Sequence, residues 1–424
     1  MPYPTSPFEE TFNQNLITGL KDSISSINPE DTLKWLCTAP TLTSYRVNTS
    51  KTSQENVYAA IQTKLSNKFD SSKLNEDIIL IKHNPVDKEL EKHPKEVIVD
   101  VDCAAAVLRG AHIYAPGVLG MTPSNKGDRV SIYADLNKKC LRGLIKPFTN
   151  LKLFIANGIV QQNRQEIFQS TPKGLAIEIS ETISGCPILP DNFLPNGWAL
   201  LQNIPSIFCV KALNPQPNEV VLDMCAAPGN KTTHIAALMQ NQGLLIALDK
   251  TPNKVKQLMK TCEDFGAKAL VFQANSCHIV SSSDLQAIEN GPPFAPKTFD
   301  RILLDAPCSV LGKRPQFTNK TSEKIIKSFI PLQRKLFTNA VALLKPQGTL
   351  VYSTCTITLA ENEGLVAWAL RSFQDLSLVG SGGDNPGWPG AGLTEEQRNM
   401  VQRFGPGQTY DSVGFFVACF VKNK

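Results

Sequence analysis

The stretch from residue 215 onward constrains this 424-residue chain most, because apolar runs and helical stretches alternate there in a steady rhythm. "VVLDM" (220–224) leads into a helix predicted over 231–240, and "LLIALD" (244–249) into one over 252–265. The runs "ALVFQAN" (269–275) and "RILLDAPC" (301–308) follow, then a helix over 322–344 and the run "TLVYSTC" (349–355). A helix over 361–373 and a strand pair within 412–422 complete the series. Strands alternating with helices predict an open, mostly parallel, doubly wound α/β sheet. Ligands of such sheets bind outside the carboxyl ends of the strands, where the strand order reverses. The tract "GSGGDNPGWPGAG" (380–392) reads as a mobile loop.

Upstream the texture differs. Between 96 and 180 lie "EVIVDV", "HIYAPGV", "GDRVSIYA" and "LKLFIANGIV", short strands parted by Gly and turn residues. That spacing predicts an inserted small β-barrel or sandwich. Residues 1–95 are mixed and polar, with helices expected around 8–27 and 54–67. The chain therefore divides into an α+β region (1–95), a β insert (96–180) and a doubly wound domain (181–424).

The net charge is +5, and between 101 and 180 ten Lys and Arg stand against five acids, so that middle segment carries the whole excess. Its densest knot, Lys138, Lys139, Arg142 and Lys146, falls on the turn "LNKKCLRGLIKP". A solvated basic face and a phosphate-backbone footprint both fit this knot. The eleven cysteines form no CxxC pair and the five histidines no HxxxH, so no metal site is expected. Scattered thiols suit a reducing compartment. "MPYPTSPFEE" lacks the basic and apolar regions of a secretory leader, and no run of about 18 apolar residues occurs. A cytosolic or nuclear protein away from membranes is expected.

"CAAPGNKT" follows the first strand of the α/β series. Cys225, Ala226, Ala227, Pro228, Gly229, Asn230 and Lys231 thus occupy the ligand crevice, with Gly229 permitting close backbone approach. The free N–H groups of the next helix favour negative charge. The pattern Gly-x4-Gly-Lys-Ser/Thr is missing, which disfavours a nucleoside triphosphate. Asp249 ends the second strand twenty residues after Gly229, placed to accept hydrogen bonds from ribose hydroxyls. S-adenosylmethionine fits this combination, its carboxylate being its only anionic group. Position 254 (Lys254, beside Asn253) and Asn275 complete the expected cofactor set.

"LLDAPCS" places Asp305 and Cys308 at one strand end, and "YSTCT" places Cys355 at another. Most buried cysteines are small hydrophobes, but residues just past a strand reach ligands. A thiolate beside an acid suits attack on an electron-poor ring carbon. Attack on C6 of cytosine makes C5 carbanion-like and able to take a methyl group. Asp305, protonated or sharing a proton, would hold the N3/N4 edge, and a second thiol would act as base or aid release.

With "CAAPGNKTTHIAAL", "DAPCS" and "VYSTCTITLAENE", the chain resembles the Nop/Sun-domain RNA 5-methylcytosine methyltransferases. "SYRVNTS" (44–50), "LRGAHIYAPGV", "ALNPQPNEVVLDMCAAPG", "FDRILLDAPCS", "PLQRKLFTNAV" and "DSVGFFVA" extend the likeness over nearly the whole chain from about residue 40, toward members that carry an inserted PUA domain. The resemblance implies a Rossmann-like methyltransferase fold with S-adenosylmethionine as cofactor. It implies Cys355 as nucleophile, Cys308 as release cysteine, Asp305 as the acid at the target base, Lys231 at the substrate or the cofactor carboxylate, and Asp249 at the ribose. It also implies that the PUA domain grips the CCA end and acceptor stem of tRNA through Arg109, Tyr114, Lys138, Lys139, Arg142 and Lys146. Stem-loop mRNA is a further partner by the same analogy, and a cytoplasmic monomer is expected.

Three positions depart from the family pattern. Asn230 replaces a glycine, Asn275 replaces an acid after the third strand, and Val310 stands where Cys-Ser-Gly is usual. Asn230 is tolerable if the position needs only a positive φ, and obstructive if it needs bare backbone; weakened cofactor binding is the expectation. Val310 is a β-branched residue poorly suited to positive φ. The rival readings are a PUA-bearing RNA-binding protein with weak or lost activity and a ribosomal-RNA cytosine-5 methyltransferase.

Overall fold

In this computed structural model, residue 4 and residues 29–66, 68–84, 89–190, 192–281, 288–319, 321–382 and 385–423 are described. The helix expected around 8–27 lies outside them.

The chain opens with helix α1 (Pro29–Cys37), strand β1 (Leu42–Val47), helix α2 (Gln54–Leu65) and strands β2 (Ser71–Leu74) and β3 (Ile78–Lys82). Ser53 caps α2 by accepting from the Asn56 N–H, and Val57, Ile61 and Leu65, spaced by four, turn its buried face to the sheet.

The insert then forms β4 (Glu96–Val99), α3 (Val101–Val107), β5 (Ile113–Tyr114), β6 (Val118–Met121), β7 (Arg129–Asp135), β8 (Lys152–Val160), the single turn α4 (Arg164–Ile167) and β9 (Leu175–Thr182). Its strand order is β5-β9-β8-β7-β4-β6. Only three residues, Ala115–Gly117, join the two edge strands β5 and β6. So short a link obliges the sheet to roll until its edges meet, around a core that includes Val97, Ile132, Ile155 and Ile177. Two features differ from expectation. "EVIVDV" is not all strand, because Asp100 accepts from the Cys103 N–H at 2.7 Å and starts α3 there. And β10 (Ala199–Leu201), within the span assigned to the doubly wound domain, returns to the first sheet, giving the order β10-β1-β3-β2.

After α5 (Ile204–Leu213), the α/β series runs β11 (Val220–Asp223), α6 (Asn230–Leu238), β12 (Leu244–Asp249), α7 (Pro252–Phe265), β13 (Leu270–Gln273), β14 (Phe299–Asp305), α8 (Glu323–Leu343), β15 (Leu344–Thr354), α9 (Glu363–Ser372), β16 (Leu376–Val379), α10 (Glu395–Met400), β17 (Gln402–Phe404) and β18 (Phe415–Lys422). The sheet order is β13-β12-β11-β14-β15-β18-β16, parallel except where β18 runs antiparallel to its neighbours. The expected strand pair within 412–422 is instead one strand, β18, whose edge partner β17 comes from 402–404. Both faces of the sheet are covered, which explains the near-continuous apolar strands. Leu222, Ile246, Ile302, Leu350 and Tyr352 face one core with Phe337 of α8; Val221, Leu245, Leu303, Val351 and Val417 face the other. The 380–392 tract is anchored where Trp388, 7% exposed, stacks on the Arg403 guanidinium at 3.7 Å.

Candidate active site and nucleic-acid face

The strand order reverses between β11 and β14, so the loops after these two strands bound the crevice. Gly229 sits at φ +107°, and a Cβ there would lie 3.0 Å from Leu258 and 3.1 Å from Thr261 of α7. Glycine is therefore required both for the turn and for the close approach of α7. Gly229 caps α6 without a side chain, leaving the first N–H groups of the helix open to an anion. At the end of β12, Asp249 accepts from the Thr251 N–H at 3.1 Å through Oδ1, while Oδ2 has no partner among the described residues. An open carboxylate oxygen for ribose hydroxyls and an open helix N-terminus for a carboxylate fit S-adenosylmethionine.

The rest of the expected cofactor set is placed unevenly. Ala226 is buried with its N–H on the Leu248 carbonyl, Ala227 and Cys225 are half-buried, and Pro228 is exposed. Lys254 and Asn253 are exposed on the first turn of α7. The Asn275 carboxamide accepts from the Cys277 N–H at 3.2 Å. Asn230 is the clearest correction: it is the first residue of α6, and the positive φ belongs to Gly229. The question of its tolerance for a left-handed backbone does not arise. Val310 does take the positive φ expected at its position, +57° with 45% exposure, a conformation costing a β-branched residue about 1–2 kcal/mol.

The catalytic candidates converge. β14 and β15 are adjacent and parallel with Asp305 in register with Ser353. The Cys308 and Cys355 sulfurs beyond these strand ends lie 3.4 Å apart. Asp305 accepts from Lys231 Nζ through Oδ2 and from Ser353 Oγ through Oδ1, each at 2.7 Å. Burial works against the Lys231 ammonium, but the Asp305 carboxylate overrides it and holds Lys231 above its usual value. Lys231 also lies 5.4 Å from the centre of the Phe415 ring, which shields the pair.

The two thiols are not equivalent. The hydrogen bond from Cys308 lowers Cys355 below the ordinary thiol value against the pull of burial. The same bond, with burial, pushes Cys308 well up. Cys355 is half-buried and Cys308 buried. The more reachable sulfur is therefore the one shifted toward thiolate. Near the Lys231–Asp305 pair, burial raises the Asp223 carboxyl to about 7, although it accepts from Thr232 Oγ1 at 2.8 Å.

Sequence reasoning missed the anchor of the N-terminal region. Arg46 of "SYRVNTS" is fully buried, donating to Gln202 Oε1 at 2.8 Å, Thr233 Oγ1 at 2.8 Å and the Asn230 carbonyl at 3.4 Å. Nearby Asp77 pairs with Lys211 at 2.6 Å and His234 at 3.0 Å, so polar contacts fix this region to α5 and α6. An exposed-looking basic residue gave no sign of this.

The RNA-contact candidates separate into three groups. Arg109, Tyr114 and Asn230 line a cavity of about 430 Å³ between the N-terminal sheet, the insert and α6. Lys138, Lys139 and Lys146 are exposed on the β7–β8 loop, where Leu141, Ile145 and Leu151 are exposed too. Arg142 is exposed but engaged: its guanidinium donates to the Pro116 and Val118 carbonyls, each at 3.0 Å, and reaches those of Ala115 and Ile167. It closes the β5–β6 edge and is not a free phosphate ligand.

Fold and site together define a Rossmann-like, S-adenosylmethionine-dependent methyltransferase with paired thiols at the ends of two central strands. Residues 210–421 match the family model described as 16S rRNA methyltransferase RsmB/F. The tRNA (cytosine(72)-C(5))-methyltransferase NSUN6 of Homo sapiens is 42% identical over 98% of this chain and 96% of the human protein. The tRNA (cytosine(72)-C(5))-methyltransferase of Pyrococcus horikoshii is 31% identical over 89% of each chain. The crystal structure of NSun6 from Pyrococcus horikoshii with SFG superposes with a TM-score of 0.78 at 28% identity, covering 99% of this chain and 100% of that one. The chain belongs to the Sun-domain family of RNA 5-methylcytosine methyltransferases.

Proposed function

We propose that this protein methylates C5 of a cytosine in tRNA, in the acceptor stem beside the 3′ CCA end. The carrying observation is the 3.4 Å thiol pair flanked by the Lys231–Asp305 ion pair. The Cys355 thiolate attacks C6, and the Asp305–Lys231 pair holds the N3/N4 edge, where negative charge develops. The α6 N-terminus and Asp249 would hold S-adenosylmethionine, which when bound would supply the methyl group for C5. The adduct then resolves when a base takes the C5 proton: the C–H pair forms the C5=C6 bond and Cys355 leaves as thiolate. Cys308 stands beside the attacking sulfur for that task, taking the C5 proton once its own has passed to solvent.

The insert serves as the PUA module, with Arg109 and Tyr114 in the interdomain cavity and the Lys138, Lys139 and Lys146 loop outside it as the phosphate-contacting face. Relatives named for cytosine 72 of tRNA, matched over almost their whole length, support tRNA over ribosomal RNA. Eleven free thiols suit a cytoplasmic protein, working as a monomer and accepting stem-loop mRNA as a secondary substrate.

The test is methyl incorporation into total tRNA, read by bisulfite conversion, with intact tRNA, CCA-less tRNA and an rRNA transcript in parallel. The expected result is modification of intact tRNA alone, lost in Cys355→Ala. Modification of the rRNA transcript alone would overturn the tRNA assignment, and full activity of Cys355→Ala would overturn the nucleophile.

A further inference from the structure

Two quoted motifs contain buried polar side chains without an assigned role: Glu361 and Asn362 of "TLAENE", and Gln333 of "PLQRKLFTNAV". Glu361 lies between β15 and α9 and is fully buried. Its Oε1 accepts from the Ser309 N–H and Gln333 Nε2, each at 3.0 Å. Its Oε2 accepts from Ser309 Oγ at 2.5 Å and Thr358 Oγ1 at 2.7 Å. Four donors compensate the buried carboxylate. Gln333 Nε2 also donates to the Pro307 carbonyl at 3.0 Å. Pro307 and Ser309 are the two neighbours of Cys308, so both sides of that residue are tied to Glu361 or its partner.

Asn362 treats the other thiol in the same way. It is fully buried, its Oδ1 accepts from Thr354 Oγ1 at 2.5 Å, and its Nδ2 donates to the Thr356 carbonyl at 3.0 Å. Thr354 and Thr356 are the neighbours of Cys355. A 2.7 Å contact between Ser309 Oγ and Thr356 Oγ1 joins the two thiol loops directly. Each sulfur is thus held by the residues on either side of it, and the two holders are consecutive in sequence.

We propose that Glu361 and Asn362 are positioning residues that set the separation of the two thiols, Glu361 acting on the Cys308 loop and Asn362 on the Cys355 loop. The proposal rests on the reading of Cys355 as attacking and Cys308 as releasing thiol. Because each holder governs a different loop, its loss impairs a different chemical step. Loss of Asn362 slows adduct formation; loss of Glu361 slows adduct breakdown.

The experiment follows methyl transfer and the denaturant-stable protein–tRNA adduct in single turnovers, with cofactor affinity and melting temperature measured alongside. In Glu361→Ala the adduct should accumulate toward the level in Cys308→Ala, with product release slowed by about tenfold or more, as expected for a group displaced by roughly 1 Å. Glu361→Gln should restore release, because the Ser309 and Thr358 hydroxyls can rotate to accept from an amide. In Asn362→Ala, adduct formation should slow by a comparable order with no accumulation. If the alanine variants do not fold, Ser309→Ala and Thr354→Val remove single contacts and should show the same split in milder form. Equal impairment of both steps in both sets, or wild-type kinetics throughout, would overturn the positioning roles. A failure of Cys308→Ala itself to trap adduct would instead overturn the underlying assignment of the thiols.

Discussion

Replacing Cys308 by alanine removes the hydrogen bond that favours thiolate at Cys355, across a sulfur–sulfur distance of 3.4 Å. Hydrogen bonds to charged groups contribute about 1.5–3 kcal/mol, and a thiol is a weak donor, so the lower figure applies. That energy is about tenfold in an equilibrium, and its loss moves Cys355 back up toward the ordinary thiol range. Well below its titration, the thiolate fraction then falls about tenfold, while the greater nucleophilicity of the more basic sulfur returns about threefold. The net result is alkylation of Cys355 slowed by about three- to fourfold at fixed pH, with a higher plateau at alkaline pH. The assay is the rate of iodoacetamide modification of Cys355, read by peptide mass spectrometry between about pH 5 and 10. Cys308→Ser supplies a hydroxyl donor and should move the profile back toward wild type. A profile unmoved by Cys308→Ala, or moved downward, refutes the hydrogen-bond account. Cys308→Ala should therefore form its adduct more slowly than wild type while failing to release it.

Two further outcomes are expected. Burial lowers His234 to about 4 from 6.5, despite the neighbouring Asp77. The unfolded chain takes up that proton below pH 6.5 and the folded chain does not, so the contribution is full above 6.5 and lost as pH falls toward 4, about 3 kcal/mol in all. His83, also lowered to about 4 by burial, acts in the same direction. Urea denaturation at several pH values should show this loss, with a shallower slope in His234→Gln; an unchanged slope would count against it. Asn230→Gly should leave cofactor affinity within about twofold and lower stability by about 0.5 kcal/mol, since the residue is helical. Isothermal titration showing tenfold tighter binding would contradict the placement.

The doubly wound sheet was legible because its strands are buried on both faces and punctuated by helices, and the strand ends located Asp305, Cys308 and Cys355. Val310 was legible only through the resemblance, since the glycine of the family pattern marks a position of positive φ. What sequence could not show were contacts across long separations. Glu361 reaches Ser309 across 52 residues and Arg46 reaches Thr233 across 187, and nothing periodic links such pairs. Arg142 looked like a phosphate ligand because charge is visible in a sequence and the carbonyls that engage it are not. The last edge strand was misplaced because three residues, Gln402–Phe404, are too short to show alternation.

The return of β10 to the first sheet has a consequence during synthesis. Tyr45, Arg46 and Val47 of β1 pair with Leu201, Leu200 and Ala199, made more than a hundred residues after β3. At about 5–20 residues per second, the outer edge of β1 waits roughly 8–30 s for its partner, while the whole insert is being translated. An early-folding insert would bring the two ends of that gap together and shorten the loop to be closed. A nascent chain stalled before residue 199 presents an open strand edge with Tyr45 and Val47 on it, and is a natural substrate for chaperone capture.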